Sequence, residues 1–262
     1  MDFLGKTVVV TGGAKGIGAA LVAAFESSGA RVAVFDLASS DHANHVLCDV
    51  SKETDLKDAI DWVQGEIGPI DIFVSNAGVM SGPSETVASA SDDHWSRCWS
   101  VNVMAHVFAA RILLPAMIER KSGYFVNVAS AAGLLNQIGD AAYSATKQAA
   151  VSFAESLAIT HRNDGIGVSL VCPQYVATEM SGLEIDAAAD NSSLLTADQV
   201  AACVLEAVQN EDFLVLPHPD VRRFVQRRAE DHDRWIRGMI GLRCHAIEAF
   251  GEVRPEYFYR LV

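Results

Sequence analysis

Residues 7–10 are a β-branched run, followed at once by Thr11-Gly12-Gly13-Ala14-Lys15-Gly16-Ile17-Gly18 and by an apolar helical pattern over 19–27 that Gly29 stops. A buried strand that turns through glycines straight into a helix leaves few folds open. Backbone N–H groups and the positive helix end then meet at one point, where a pyrophosphate can dock. Gly12 permits the turn, Gly16 allows close approach of phosphates, and Gly18 allows tight packing of helix on strand. Glycines alone are a weak signal, and a plain tight βα turn is the alternative. The strand before and the helix after are the context that a dinucleotide site requires.

The same alternation continues along the chain. Strand-like runs occur at 31–35, 46–50, 70–75, 124–128, 165–172 and 213–216, with helical patterns at 52–64, 93–120 and 143–161 and another ending at 209. Thr196 or Asp198 would cap that last helix, and Pro115 would kink the long one. Seven alternations with right-handed crossovers predict a Rossmann-type, doubly wound, seven-stranded parallel sheet with helices on both faces. At 262 residues, half of them hydrophobic, the chain suits one domain spanning 1–262. Residues 179–195 are small, polar and irregular, as a mobile lid would be. Residues 217–262 form a helical extension whose charges (Arg222, Arg223, Arg227, Arg228, Glu230, Asp231, Asp233, Arg234) read as a solvated face.

A net charge of −13 argues against nucleic acid or an anionic membrane surface as partner. Cys48, Cys98, Cys172, Cys203 and Cys244 are scattered without a C-x-x-C pair, a reduced, cytoplasmic pattern that offers no metal site. His42 and His45 lack further ligands and read as loop residues. No apolar run approaches the ~20 residues of a membrane span, and the first residues lack a signal peptide's basic and apolar regions.

Several polar residues fall where strands end. Asp36 follows the second strand, where a carboxylate accepts from both hydroxyls of an adenosine ribose and repels a 2′-phosphate. That argues for NAD over NADP; Lys15, a cation in the glycine turn, pulls the other way and is outweighed. Asp49 and Val50 at the tip of the third strand fit an adenine ring, or Asp49 simply caps the next helix. Asn76-Ala77-Gly78 lets backbone approach a ligand, with Asn76 tying strand ends together. Ser130 follows the fifth strand, and Asn102 lies within the long helix.

Tyr143 and Lys147 are four apart and share one helix face. A free phenol has a pKa of about 10, and bringing it to about 7 takes roughly 4 kcal/mol of differential stabilisation. A fixed cation supplies stabilisation of that sign, and a cationic cofactor ring adds to it.

The ordered set of 11–18, 49–50, 76–78, 102, 130, 143–147 and 173–178 resembles the classical short-chain dehydrogenase/reductase family over nearly the whole chain. The resemblance implies that Tyr143 is the general acid-base residue, and that Lys147 lowers its pKa and bonds the nicotinamide ribose. It further implies that Ser130 holds the substrate oxygen and that Asn102 helps a water relay protons. Gly12, Lys15, Gly16, Ile17, Gly18, Asp36, Asp49, Val50, Asn76, Ala77, Gly78, Pro173, Val176 and Thr178 would then contact NAD. A tetramer or dimer built through the helices carrying Asn102 and Tyr143 is also implied. Gln174 departs from the pattern, which has glycine after Pro173; it is expected to line the substrate side and weakens the carry-over to Pro173, Val176 and Thr178.

The expected substrate wall is Leu134, Leu135, Gln137, Gln174 and Tyr175, with Met180 and Leu183 from the lid. Its mostly apolar character points to a bulky, hydrophobic secondary alcohol or ketone. One rival reading is a non-catalytic NAD(H)-binding regulator on the same fold, although such a protein would be expected to lack one of Ser130, Tyr143 or Lys147. A serine hydrolase built on Ser130 is the other, and the flanking sequence lacks the G-x-S-x-G elbow.

Overall fold

The computed structural model of the chain describes residues 1–80, 86, 89–183, 193–253 and 255–261. Its strands are β1 (Thr7–Thr11), β2 (Arg31–Asp36), β3 (His45–Leu47), β4 (Ile72–Ser75), β5 (Gly123–Val128), β6 (Ile166–Val171), β7 (Val176–Ala177), β8 (Leu195–Thr196) and β9 (Leu214–Val215). Its helices are α1 (Gly16–Ser27), α2 (Glu53–Glu66), α3 (Asp92–Trp99), α4 (Ala105–Glu119), α5 (Ala132–Leu135), α6 (Ala141–His161), α7 (Ala197–Asn210), α8 (Asp220–Glu230) and α9 (His232–Phe250).

Seven strands pair in parallel in the order β3-β2-β1-β4-β5-β6-β9. The chain winds outward through β2 and β3, returns to the centre, and winds the other way from β4. The reversal between β1 and β4 opens a crevice beyond their carboxyl ends. Alternate side chains feed opposite faces of the sheet. Val8 and Val10 join one core with Leu21 and Phe25 of α1 and Val200 and Val204 of α7. Val9 joins the other with Ile60 of α2, Leu113 of α4 and Ala154 of α6. Both faces are therefore covered, and the strands read as unbroken apolar runs because neither side meets water.

Three local expectations change. The third strand ends at Leu47, three residues early, and Cys48 to Val50 form the turn after it. The predicted helix over 93–120 is interrupted by a π-helical turn, Ser100–Met104, while α4 continues through Pro115. That turn swings Asn102 inward, and π turns of this kind recur at functional sites. The stretch Asp92–Glu119 is also long and apolar enough to cross a membrane by length and composition. Its buried residues, Ala109 and Leu113 among them, pack against the sheet, which accounts for that hydropathy.

The region expected as a lid is anchored at both ends. Val176 and Ala177 of β7 pair with Leu195 and Thr196 of β8, and Glu179–Ser181 forms one 3₁₀ turn; residues 184–192 lie outside the described ones. Thr196, not Asp198, caps α7, accepting from the Gln199 N–H while Gln199 accepts from Thr196. The charged extension folds as α8 and α9, held to α5 by a small core of Val221, Phe224, Trp235 and Leu135. The Arg228 guanidinium donates to the Leu134 carbonyl across the same contact.

Candidate active site

The crevice is a cleft of about 880 Å³ above β1 and β4, and most of the residues singled out above line it, Asn102, Leu134 and Leu135 excepted. The glycine turn forms its floor. Gly12 and Gly16 have φ of +63° and +54°, and a Cβ on Gly18 would stand 2.0 Å from the Gly12 carbonyl oxygen. Lys15 gives α1 no side-chain cap, so the N–H groups of its first turn face the cleft. Thr11 and Asn76 lock this turn to β4. The Thr11 hydroxyl accepts from the Asn76 and Ala77 N–H groups at 3.0 Å each, and the Asn76 amide donates to the Thr11 and Gly12 carbonyls at 2.9 and 3.2 Å.

Asp36 closes the end of the cleft where an adenosine was expected. Its carboxylate accepts from the N–H groups of Ala14 at 3.0 Å and Ala38 at 2.9 Å, which fixes its orientation. Lys15 pairs with Glu179 at 2.9 Å across the rim, and that carboxylate holds the ammonium pKa above its usual value. Asp49 is not the cap of α2, since Lys52 occupies that position. Its carboxylate instead accepts from the Ser51 hydroxyl at 2.6 Å and the Ser51 N–H at 3.1 Å, and the hydroxyl's bond holds the pKa low. Val50 is buried beside it. A dinucleotide fits these donors: open N–H groups for phosphates, an oriented carboxylate for a ribose, and backbone at positions 12, 16 and 78 without a side chain in the way.

The reacting end is built from β5, α6 and the segment after β6. Asp140 caps α6 by accepting from the Tyr143 N–H at 2.9 Å, which fixes the first turn of the helix. Tyr143 and Lys147 lie on one face, with Nζ 5.7 Å from the phenol ring centroid. Lys147 donates to the Val128 carbonyl at 3.1 Å, so its charge sits under the ring and not on the hydroxyl. The Ser130 hydroxyl accepts from the Ala132 N–H at 3.1 Å and donates to the Pro173 carbonyl at 3.5 Å.

Burial pushes the Tyr143 phenol up to about 12, against the pull of the Ser130 bond, and pushes the Lys147 ammonium down to about 8. This reverses the expected direction for Tyr143. Desolvation of the phenol, 9% exposed where it meets the cleft, outweighs the bond from Ser130.

Asn102 lies behind the cleft wall. Its Oδ1 accepts from the Val79 N–H at 2.9 Å, and its Nδ2 donates to the Val79 carbonyl at 3.0 Å and the Thr146 hydroxyl at 3.1 Å. The side chain thus ties the strand-end loop to α6 and has no N–H left for a relayed water.

Pro173, Gln174, Tyr175, Val176 and Thr178 line the cleft as expected. Sequence reasoning missed what holds them. His218, buried and 44 residues distant, accepts from the Gln174 N–H at 3.1 Å and faces the Tyr175 carbonyl at 2.9 Å. That strut fixes the backbone where Gln174 replaces glycine. Leu135 lines a second cavity, of about 680 Å³, reached past Ser130 and Gln137; Met180 and Leu183 line the first. Leu134 lines neither and packs in the core. Among the described residues, no three His, Cys, Asp or Glu side chains gather as a metal site, and the five cysteines are free.

A family model for short chain dehydrogenases matches residues 6–188. The chain belongs to that family. This short-chain dehydrogenase is 30% identical over 245 residues to 1-deoxy-11-beta-hydroxypentalenate dehydrogenase of Streptomyces exfoliatus, covering 88% of each chain. It is 35% identical over 190 residues to sex determination protein tasselseed-2 of Zea mays, covering 67% of this chain and 56% of that protein, little more than half of it. A short chain dehydrogenase/reductase from Burkholderia phymatum, solved in complex with NAD, superposes with a TM-score of 0.78 at 28% identity, over 89% of this chain and 96% of that one. The fold and the oxidoreductase class follow from this membership.

Proposed function

We propose that this short-chain dehydrogenase uses NAD to interconvert a secondary alcohol and a ketone, with Tyr143 exchanging the proton at the substrate oxygen. The observation that carries the reading is one continuous cleft in which Ser130, Tyr143 and Lys147 stand at the opposite end from the glycine turn and Asp36. A dinucleotide laid from Asp36 across the turn brings its nicotinamide to Tyr143. When bound, that ring supplies or accepts the hydride and, when oxidised, sets a positive charge beside the phenol.

The chain's own residues do the rest. Ser130 and Tyr143 place two hydroxyl donors where negative charge gathers on oxygen. The buried phenol is held protonated, which suits it as the acid for ketone reduction. Lys147 balances the phenolate that the transfer leaves. Asp36 beside the ribose position, with Lys15 neutralised by Glu179, favours NAD over NADP. The relative from Streptomyces exfoliatus is named for a hydroxy compound, and the Burkholderia phymatum structure holds NAD; both agree with this chemistry. Exposed Trp99 on α3 and Ile159 on α6 support assembly of copies through those helices.

The test is NADH formation followed by absorbance with a panel of bulky and small secondary alcohols. Turnover of any of them supports the reading. Tight NADH binding without turnover of any alcohol or ketone replaces it with a non-catalytic NAD(H)-binding regulator.

A further inference from the structure

The second cavity, about 680 Å³, shares Ser130, Gln137, Gln174 and Tyr175 with the cofactor cleft and so opens directly off the reacting end. Its far wall belongs to α8 and α9. The middle is apolar: Leu135, Ile138, Phe224, Trp235, Met239 and Leu242. Its size suits a drug-sized molecule and exceeds what a small alcohol fills.

Polar groups line the same cavity. Gln137 lines the cavity, and its side-chain nitrogen is buried without a hydrogen-bond partner among the described residues. On the α8 and α9 side stand two arginines. Arg234 is paired with Glu230 at 3.4 Å. Arg227 is exposed where it lines the cavity, and its side chain makes no ion pair or hydrogen bond with any described residue. On the same helix Arg223 pairs with Asp220 at 2.9 Å and Arg228 donates to the Leu134 carbonyl, while exposed Arg222, outside the cavity, makes no side-chain ion pair or hydrogen bond with a described residue.

We infer that the second cavity receives the body of the substrate and that Arg227 binds a carboxylate on it, remote from the reacting carbon. The substrate class is an apolar ketone or secondary alcohol bearing a carboxylate at its far end. This rests on the proposed reaction for the position of the reacting oxygen, and on the cavity alone for the rest. The guanidinium offers paired N–H donors that a carboxylate accepts.

The test compares 4-(4-oxocyclohexyl)benzoate with 4-(4-oxocyclohexyl)benzamide, matched in shape and differing in charge. Binding to the NADH-loaded protein is read by calorimetry and reduction by NADH absorbance. The benzoate is expected to bind roughly 5-fold or more tightly than the amide, the order of one partly screened ion pair, with the ratio falling as salt is added. Arg227→Met is expected to bring the ratio to about one, while Arg222→Met, at an exposed arginine outside the cavity, keeps it. Because the ratio is internal to each variant, loss of folded protein does not imitate the effect. Equal affinities in the native protein, or a preference that survives Arg227→Met, overturns the inference. Reduction of the amide without preference for the benzoate removes the substrate class and leaves the reaction. Selective benzoate binding with no ketone reduced supports the cavity's ligand class and removes the reaction.

Discussion

Tyr143 and Lys147 share a buried face, and burial disfavours the charged form of each. The phenol rises to about 12 and the ammonium falls to about 8. The proposed ketone reduction needs the phenol protonated and Lys147 charged. The first condition holds across the ordinary pH range; the second is lost as pH rises through about 8. We therefore expect kcat/KM for ketone reduction to fall above about pH 8. Lys147→Arg should move that fall to higher pH wherever the variant retains activity, because a guanidinium stays charged. A flat profile from pH 7 to 10 would remove Lys147 from this role. Asp36 makes a separate prediction. Asp36→Ala should erode the preference for NAD over NADP, read as the ratio of kcat/KM for the two cofactors. A native protein that already prefers NADP contradicts the assignment.

At the scale of elements, the catalytic geometry depends on how α6 begins. Asp140 is 2% exposed, caps the helix at Tyr143, and has the His94 ring 3.4 Å away. Asp140→Ala should cost about 1 kcal/mol or more from the lost cap, lowering Tm. It should also lower kcat, with Asp140→Asn recovering much of both. Unchanged Tm and kcat in the alanine variant would show that the cap is idle. The Thr196 cap of α7, and most strands and helices, were legible because periodicity and local side chains define them, whereas the Asp140 cap was not anticipated. The Gly12–Gly18 turn and the Tyr143–Lys147 spacing were legible for the same reason. What the sequence concealed depends on distant partners. The π turn at Asn102 is set by bonds to Val79 and Thr146, β7 exists only through β8, and His218 reaches Gln174 across 44 residues. The direction of the Tyr143 shift was misread because spacing reveals a neighbouring charge and says nothing of burial.

Over the whole molecule, buried neutral histidines make the fold sensitive to acid. Burial holds His106 down at about 4 and His218 below its ordinary value. The unfolded chain takes up these protons from about pH 6.5 downward, the folded chain only lower. Their contribution is therefore complete above 6.5 and is lost as pH falls toward 4. Urea unfolding should show stability dropping over that window, with a smaller drop in His106→Gln if that variant folds; stability constant from pH 7 to 4.5 would contradict it. The molecule's larger arrangement is a cleft running from the glycine turn to a buried phenol, with a second cavity beside it walled by α8 and α9. Its most direct test is Tyr143→Phe, measured for NADH binding by fluorescence and for alcohol turnover by absorbance. The account predicts near-native NADH affinity with turnover reduced about 10²–10⁴-fold, the usual worth of general acid-base help. A variant that binds NADH and turns over alcohol at the native rate would contradict it.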